Sequence, residues 1–283
     1  MRKFRVEIDG KPFLDSKNNR QLRVTFTSRM QYTTNLAFLD LAIYNLSKNT
    51  KIEQGKKIIL SAGYENEFDR IFTGKIITVL QEKDGADTLT RLLCRSSYFD
   101  DRHSIQATVG VGGSLFDAFA LLESAWGIPI DYDKEQFKDD KNLTFARGYA
   151  LNGDVVKNMQ SLASQFDFSW VETYDSIIVD KNKVNVKSKP REVSMFTGMI
   201  GFPEAESDVG LHFVNVTMRL SPRVRMRTMI DLKSEYATYS TGNFYIQPPK
   251  YGGNLDGLYK VVEVYHRGDN FGKRWITEFK GQR

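Results

Sequence analysis

Apolar and polar residues alternate along the first hundred positions in a pattern that is typical of short β-strands. Phe4, Val6 and Ile8 alternate with charged neighbours and stop at Asp9-Gly10, a strong hairpin-turn signal. The same alternation continues through RQLRVTFTS, KKIILSAGYE, RIFTGKIITVLQE and DTLTRLLCRSS. Several strands at this spacing, with no clear helix among them, favour a β-barrel or a β-sandwich.

One segment of this first part is apolar at nearly every position. The run NLAFLDLAIYNLS, residues 35–47, lacks both a clean period of two and a clean helical period. A strand that is buried on both faces and a buried helix have the same appearance at this length. The pattern leaves both assignments open.

The pattern becomes helical after Gly110. Ser114 is a predicted N-cap with Asp117 three residues later, and Gly127 is the predicted stop. A second helix is predicted from about Asp154, because the following apolar residues lie on one helical face. These are Val155, Val156, Met159, Leu162, Ala163 and Phe166. Short strands follow the helices in GIPIDYD, FDFSWVET and IIVDK, the last after a turn at Tyr174-Asp175-Ser176, which predicts a small α+β module.

Strand-like alternation returns after Pro190. The stretch GLHFVNVTMRLSPRVRMRTMIDLKS predicts two or three strands with a break at Ser221-Pro222, since proline cannot donate to a central ladder. The chain closes with a predicted hairpin around residues 268–272. We therefore predict a mainly β chain with three domains: a β-barrel at 1–105, an α+β insert at 106–188 and a second β-barrel at 189–283.

Composition narrows the function classes. The 283 residues are enough for two or three domains. Forty Lys and Arg against 35 Asp and Glu give a net charge of +5 that is spread along the chain, unlike the concentrated charge of most nucleic-acid binders. Cys94 is the single cysteine, so no intrachain disulfide is possible and a reducing cytoplasm is expected. No segment reaches about 18 consecutive apolar residues, so no membrane insertion is expected.

The sequence offers little for catalysis. His103, His212 and His266 lie in different segments, without HExxH or His/Cys spacing for zinc. There is no G-x-S-x-G elbow and no Walker pattern, and the glycines of GVGGS are better explained as a bend into a helix. We therefore predict no catalytic residue, no metal and no cofactor, and hence no enzyme.

Two charged features are candidates for protein contacts. If a strand follows Pro222, then Arg223, Arg225 and Arg227 project from one face and can meet phosphate or acidic groups; a solvated barrel face is the alternative. The other feature is the tip of the predicted closing hairpin. It contains His266 and an Arg-Gly-Asp triplet whose charged residues are Arg267 and Asp269. Gly-Asp-Asn is an ordinary turn sequence, so an adhesion role is not favoured.

Several stretches together resemble the baseplate hub proteins of contractile phage tails. They are IFTGKIITV, GSLFDAFALLESAWGI, the span Thr197–Ser234, and the closing GLYKVVEVYHRGDNFGKRWITEFKG. In that family a Tyr-x-Val strand, a His-x-Gly-Asp turn and a Trp-x-Thr strand commonly end the core domain; here Tyr259, Val261, Trp275 and Thr277 occupy the two strands. The family also includes the hub portion of type VI secretion spikes and the hubs of contractile bacteriocins.

The resemblance implies a structural protein of the virion tail baseplate, assembled in the host cytoplasm. It implies two tail-tube-like β-barrel domains that flank the α+β domain, and a homotrimer whose six barrels form a pseudo-sixfold ring. The implied partners are the tail tube protein and the central spike protein, with tape measure and baseplate wedge proteins as further contacts. DNA would pass through the lumen only in transit.

Two other functions stay open from the residues themselves. The pI of about 9.0 and the arginines after Pro222 fit a nucleic-acid-binding β-barrel protein. The α+β insert fits a tail-associated module that binds or hydrolyses peptidoglycan.

Overall fold

The computed structural model describes residues 1–32, 35–96, 103–140, 142–173, 175–181, 189–208, 211–239 and 255–283. The chain forms two compact units, one made of Met1–Ser96 together with Val184–Arg283 and the other of Ser97–Lys183. The predicted mainly β chain with a small α+β part is confirmed. The division into three domains at 105/106 and 188/189 stays a prediction.

The described residues of the first β part form seven antiparallel strands. They are β1 (Arg2–Ile8), β2 (Lys11–Asp15), β3 (Val24–Gln31), β4 (Leu36–Tyr44), β5 (Lys57–Tyr64), β6 (Glu67–Asp84) and β7 (Asp87–Arg95). Hydrogen-bonded neighbours follow the order β2-β1-β5-β6-β7-β4-β3. The ambiguous segment is strand β4, in which Leu39, Leu41 and Ile43 face a core shared with Val6 and Leu60.

In its described residues, the second unit has two α-helices packed on short strands. Its elements are β8 (Ser104–Val109), α1 (Leu115–Trp126), β9 (Ile130–Asp131), β10 (Tyr149–Asp154), α2 (Val155–Phe166), β11 (Ser169–Glu172) and β12 (Ile177–Asp180). Strand β8 pairs with β10, and β12 pairs with β11 and, in parallel, with β9. Both helices and the three short strands were predicted. Tyr174, in the predicted turn before β12, lies outside the described residues.

Both helices begin where the sequence predicted, and Ser114 is the N-cap predicted for α1. The Ser114 hydroxyl accepts a hydrogen bond from the Asp117 amide, and the Asp117 carboxylate accepts one from the Ser114 amide at 2.7 Å. Gly127 ends α1 in the left-handed conformation, with φ of 71°. Asp154 caps α2 by accepting from two amides. No helix in the described ranges is long and apolar enough to cross a membrane.

The second β part joins the first in one unit. Its strands are β13 (Arg191–Val193), β14 (Glu204–Asp208), β15 (Leu211–Arg219), β16 (Met229–Leu232), β17 (Thr238–Tyr239), β18 (Gly257–Asp269) and β19 (Trp275–Gln282). Strand β18 pairs with β19 and β16, and its second half pairs with β3 of the first β part from Glu263 to Asp269. The sheet continues from β19 to β15, β14 and β17.

These ladders determine how much of the barrel prediction is confirmed. Among the described strands the pairings run from β2 to β17, with β16 and β13 branching from β18, and none of them closes a ring. The barrel closure predicted for the two β parts therefore stays a prediction. The β3–β18 ladder makes the closing hairpin an integral part of the sheet of the first β part.

Candidate functional site: the arginine turn and the closing hairpin

The arginine-rich segment is not a strand, so the prediction of an arginine row on a β face was wrong. Strand β15 ends at Arg219 and β16 begins at Met229. Two tight turns lie between them, closed by hydrogen bonds from the Val224 amide to the Ser221 carbonyl and from the Thr228 amide to the Arg225 carbonyl. Pro222 cannot donate to a ladder, and Arg227 has a left-handed φ of 66°, which ends any extended run. We call Arg223, Arg225 and Arg227 together the arginine turn.

The arginine turn still separates polar from apolar side chains. Val224 and Met226 are buried between the three arginines, while Arg223 and Arg225 are exposed and Arg227 is half-buried. Arg225 is neutralised within the chain, because its Nη2 donates to Asp69 Oδ2 at 2.6 Å. The exposed charge of this surface is therefore smaller than three arginines suggest.

A second ion pair ties the two β parts together beside the arginine turn. The two terminal nitrogens of Arg191 bind the two carboxylate oxygens of Glu67 at 3.0 and 3.2 Å, and the Ser221 hydroxyl also donates to Glu67. Burial alone would raise the pKa of Glu67, but these hydrogen bonds outweigh it and hold the pKa below its usual value. The partners lie more than a hundred residues apart, so no local pattern in the sequence predicts this pair.

The closing hairpin is where the sequence predicted it. Strand β18 contains Tyr259 and Val261, strand β19 contains Trp275 and Thr277, and the turn between them lies at residues 270–274. Gly268 is required by packing, since a Cβ there would lie 2.3 Å from the Phe26 ring and 2.8 Å from the Trp275 ring. Those two rings meet edge to face, with centroids 5.3 Å apart.

The Arg-Gly-Asp triplet is bound into the sheet. One Asp269 carboxylate oxygen accepts the amides of Phe271 and Gly272 at 3.0 and 2.9 Å, which fixes the turn, and the other accepts from Arg23 at 2.8 Å. The side chain of Asp269 is only 14% exposed. Asn270 donates to the Leu22 carbonyl and accepts from the Val24 amide. Through Asp269, the triplet links the hairpin turn to Arg23, which directly precedes β3.

Arg267 and His266 lie within β18 and not at the tip of the hairpin, which corrects the prediction. Arg267 pairs with Glu278 of β19 at 2.9 Å. His266 is 4% exposed, and its Nδ1 lies 2.9 Å from the Thr277 hydroxyl, which in turn accepts the Ser221 amide at 2.9 Å. Burial, aided by the charge of Arg225, lowers the pKa of His266 from 6.5 to about 3. His266 is therefore a neutral core residue at pH 7.

Within the described ranges, no group of three or more His, Cys, Asp or Glu side chains could hold a metal ion. Cys94 is buried, and burial raises the pKa of its thiol far above the usual value, so it is not a ready nucleophile.

A groove of about 440 Å³ lies beside the hairpin turn, and the sequence did not predict it. Arg23 and Arg91 on its wall are paired with Asp269 and Asp40, respectively. Arg274 also lines the groove, so three arginines face two carboxylates and the wall keeps a net positive charge.

A family model for baseplate hub gp41 matches residues 20–252 of this chain. No curated protein matches it by sequence. Among solved structures, the 43 kDa tail protein of prophage MuSo2 from Shewanella oneidensis is 9% identical with a TM-score of 0.61, covering 99% of this chain and 98% of that one. A tail protein from Neisseria meningitidis MC58 is 10% identical with a TM-score of 0.60, covering 100% and 96%.

A third similar structure comes from a secretion system. It is the E. coli c3393 protein, a component of the type VI secretion system with structural similarity to the T4 bacteriophage tail proteins gp27 and gp5. It is 9% identical with a TM-score of 0.54, and the alignment covers 98% of this chain and 75% of that one. At these identities the structures establish the fold, while the family match covers most of the sequence. The chain belongs to the baseplate hub gp41 family.

Proposed function

We propose that this protein is a non-enzymatic structural subunit of a contractile-tail baseplate hub. Three copies would form an adaptor between the sixfold tail tube and the threefold central spike. The observation that carries this proposal is the family match over residues 20–252. It is supported by the ladder between β3 and β18, which fastens two β parts of one chain side by side.

The symmetry argument explains why such a chain needs two β parts. A sixfold ring and a threefold object cannot share equivalent contacts, because closed rings repeat one interface at every subunit. A subunit that carries two tube-like barrels presents six barrels in a trimer and keeps threefold symmetry. In this proposal, residues 1–105 and 189–283 supply the two barrels and residues 106–188 the domain between them.

The proposed location and partners follow from the same assignment. The hub would lie in the virion tail baseplate after assembly in the host cytoplasm. It would contact the tail tube protein on one side and the central spike protein on the other, with tape measure and baseplate wedge proteins nearby. DNA would cross its lumen only in transit. The similarity to a type VI secretion component that itself resembles gp27 and gp5 supports a position next to a spike.

The interface residues inferred from the sequence need revision within this proposal. Arg223 and Arg225 are exposed and remain candidates for the contact between subunits. His266 and Asp269 would act indirectly, by fixing the hairpin, because both are largely withdrawn from solvent. Arg267 is neutralised by its partner on β19.

Charge reversal of the whole arginine turn tests its role in assembly. We expect the triple change to glutamate to weaken ring formation while the subunit stays folded, because the Arg225–Asp69 pair is exposed and such pairs contribute less than about 1 kcal/mol. Circular dichroism checks the fold and analytical ultracentrifugation checks assembly. An unchanged assembly would remove the arginine turn from the interface.

The mass of the purified protein tests the proposal itself. A hub subunit is expected at three times its 32.5 kDa chain mass. A DNA-binding protein would instead bind DNA with an affinity that falls steeply with salt, and a hydrolase would clear peptidoglycan in a zymogram. A stable monomer with hydrolytic activity would contradict the hub proposal.

A further inference from the structure

The groove beside the hairpin turn is a concave site formed by four neighbouring strands. Asp269 of β18, Thr25 of β3, Ala42 of β4 and Arg91 of β7 lie side by side in the ladders. The two middle side chains are small and the charged ones stand at the two ends, so the row has a hollow between them. Its volume of about 440 Å³ falls within the range of about 300–1,000 Å³ that is usual for ligand pockets. Because paired strands form it, the groove exists before any ligand arrives.

Two ion pairs hold the charged walls of the groove in place. Arg91 Nε donates to Asp40 Oδ1 at 2.8 Å, and Arg91 Nη2 donates to the other oxygen. Arg23 Nη2 donates to Asp269 Oδ2 at 2.8 Å, and its guanidinium lies over the Tyr44 ring, 4.8 Å from the centroid. Both carboxylates are therefore already engaged. Each of these arginines still has unused N–H groups, since a guanidinium carries five donors.

Arg274 is the third cation on the groove wall. Within the described ranges its exposed guanidinium makes no hydrogen bond and no ion pair, while its carbonyl accepts the Asp269 amide at 2.8 Å, which fixes its backbone at the edge of the groove. Two exposed carboxylates near the end of β6, Glu82 and Asp84, lie outside the groove wall, where water screens their charge. The wall therefore carries one uncompensated positive charge.

This excess of one charge favours a ligand with a single negative charge. One carboxylate makes the wall neutral, whereas a phosphate group with a charge of about −1.5 to −2 leaves it negative. Nucleic acid is disfavoured as well, because proteins that bind it neutralise about 6–10 phosphates along an extended surface. The groove offers one uncompensated cation in a single hollow.

The uncharged lining of the groove suits a carboxylate that is attached to a short aliphatic side chain. Thr25 and Thr27 offer hydroxyl donors beside the arginines, and Phe26 and Leu89 add apolar surface. Aspartate and glutamate carry their carboxylates on methylene groups, which such a surface can cover. The lining therefore fits an acidic residue of a peptide.

We propose that this groove binds an acidic segment of a partner protein through one glutamate or aspartate carboxylate, with Arg274 as its ion-pair partner. Guanidinium groups bind carboxylates through two parallel hydrogen bonds, as Arg91 does with Asp40. The inference goes beyond the proposed hub role, since every residue of the groove belongs to the first unit of a single chain. It does not depend on how many copies assemble.

Saturation-transfer NMR with the full chain at low salt tests the inference. The probe is the peptide acetyl-Gly-Glu-Gly-amide, and its neutral twin carries glutamine in place of glutamate. The wild type should bind the glutamate peptide with a dissociation constant of about 1–10 mM. It should bind the glutamine peptide at least about tenfold more weakly, because that peptide cannot make charge-assisted hydrogen bonds.

Two variants test the role of the unpaired cation. Arg274→Ala should weaken binding of the glutamate peptide at least about tenfold. Lys273→Ala is the matched control, because it removes a neighbouring exposed cation that does not line the groove, and it should bind like the wild type. Circular dichroism should be unchanged in both variants, since both residues are exposed.

Several results would overturn the inference. They are a glutamate peptide that does not bind, equal binding of the two peptides, and unchanged binding by Arg274→Ala. Acetate that binds as tightly as the glutamate peptide would make the groove a site for small carboxylates. Tighter binding of inorganic phosphate or oligothymidylate, lost in Arg274→Ala, would assign the groove to phosphate groups. The hub proposal is tested separately, because a trimer that binds no peptide contradicts only this inference and a monomer that binds it contradicts only the hub.

Discussion

Acidification should destabilise the first unit through His266. Its folded-state pKa is about 3, against 6.5 for an unperturbed histidine. Below pH 6.5 the unfolded chain binds a proton that the folded chain does not bind until about pH 3, so stability falls as the pH falls through this window. At pH 5 the difference corresponds to about 2 kcal/mol of unfolding free energy, at 1.36 kcal/mol per pH unit.

A pH range above 5 separates the effect of His266 on stability from the effects of the carboxylates. Glu67, Glu206 and Asp269 have lowered pKa values, because hydrogen bonds from cationic partners outweigh their partial burial. A lowered carboxylate pKa gives stability that is lost only as the pH falls below the usual value near 4. Between pH 7.5 and 5 these groups remain charged in both states. The loss in that range therefore reports on His266.

The assay is chemical denaturation followed by circular dichroism at pH 7.5, 6 and 5, at fixed subunit concentration because assembly also stabilises the fold. The wild type should lose about 2 kcal/mol by pH 5. His266→Gln removes the titrating group and should show a flat profile, whatever its absolute stability. His212→Gln, in the same unit, is the matched control and should keep the wild-type slope. Equal slopes in wild type and His266→Gln would refute the reasoning.

Three further predictions concern individual contacts. Gly268→Ala should cost about 1–3 kcal/mol by forcing a methyl group into two aromatic rings, whereas Gly110→Ala, with nothing within 4 Å, should leave the melting temperature nearly unchanged. Ser114→Ala should cost about 1 kcal/mol in denaturation of the second unit, because a reciprocal helix cap is lost. Arg191→Ala should lower the free energy of unfolding by about 1–3 kcal/mol, because it leaves the half-buried carboxylate of Glu67 without its bidentate partner. Arg225→Ala should lower it by less than about 1 kcal/mol, because the Arg225–Asp69 pair is exposed. Equal losses in the two variants would contradict the difference in burial between the two ion pairs.

Local patterns in the sequence predicted most of the secondary structure, because the forces that form it are local. The caps at Ser114 and Asp154 are satisfied within four residues of themselves, so their residue types alone indicate helix starts. The closing hairpin was predicted for the same reason. The segment of β4 was ambiguous, because its half-buried positions Leu36, Phe38 and Tyr44 are apolar like the buried positions between them, which hides the alternation.

The arrangement of the candidate site could not be predicted from the sequence. Alternating exposure of Arg223, Val224 and Arg225 mimics a strand, yet consecutive turns produce the same alternation. The burial of His266 depends on β3 packing against β18, and those strands lie more than 200 residues apart. The exposure of Phe196 could not be predicted either, since a large apolar residue is more often buried.

An image of the assembled tail particle tests the central claim most directly. The proposal predicts three copies of this chain around the tail axis at the junction of tube and spike, with six β domains in one ring and the lumen open. A single copy, a sixfold ring of whole chains, or a position away from that junction would contradict it.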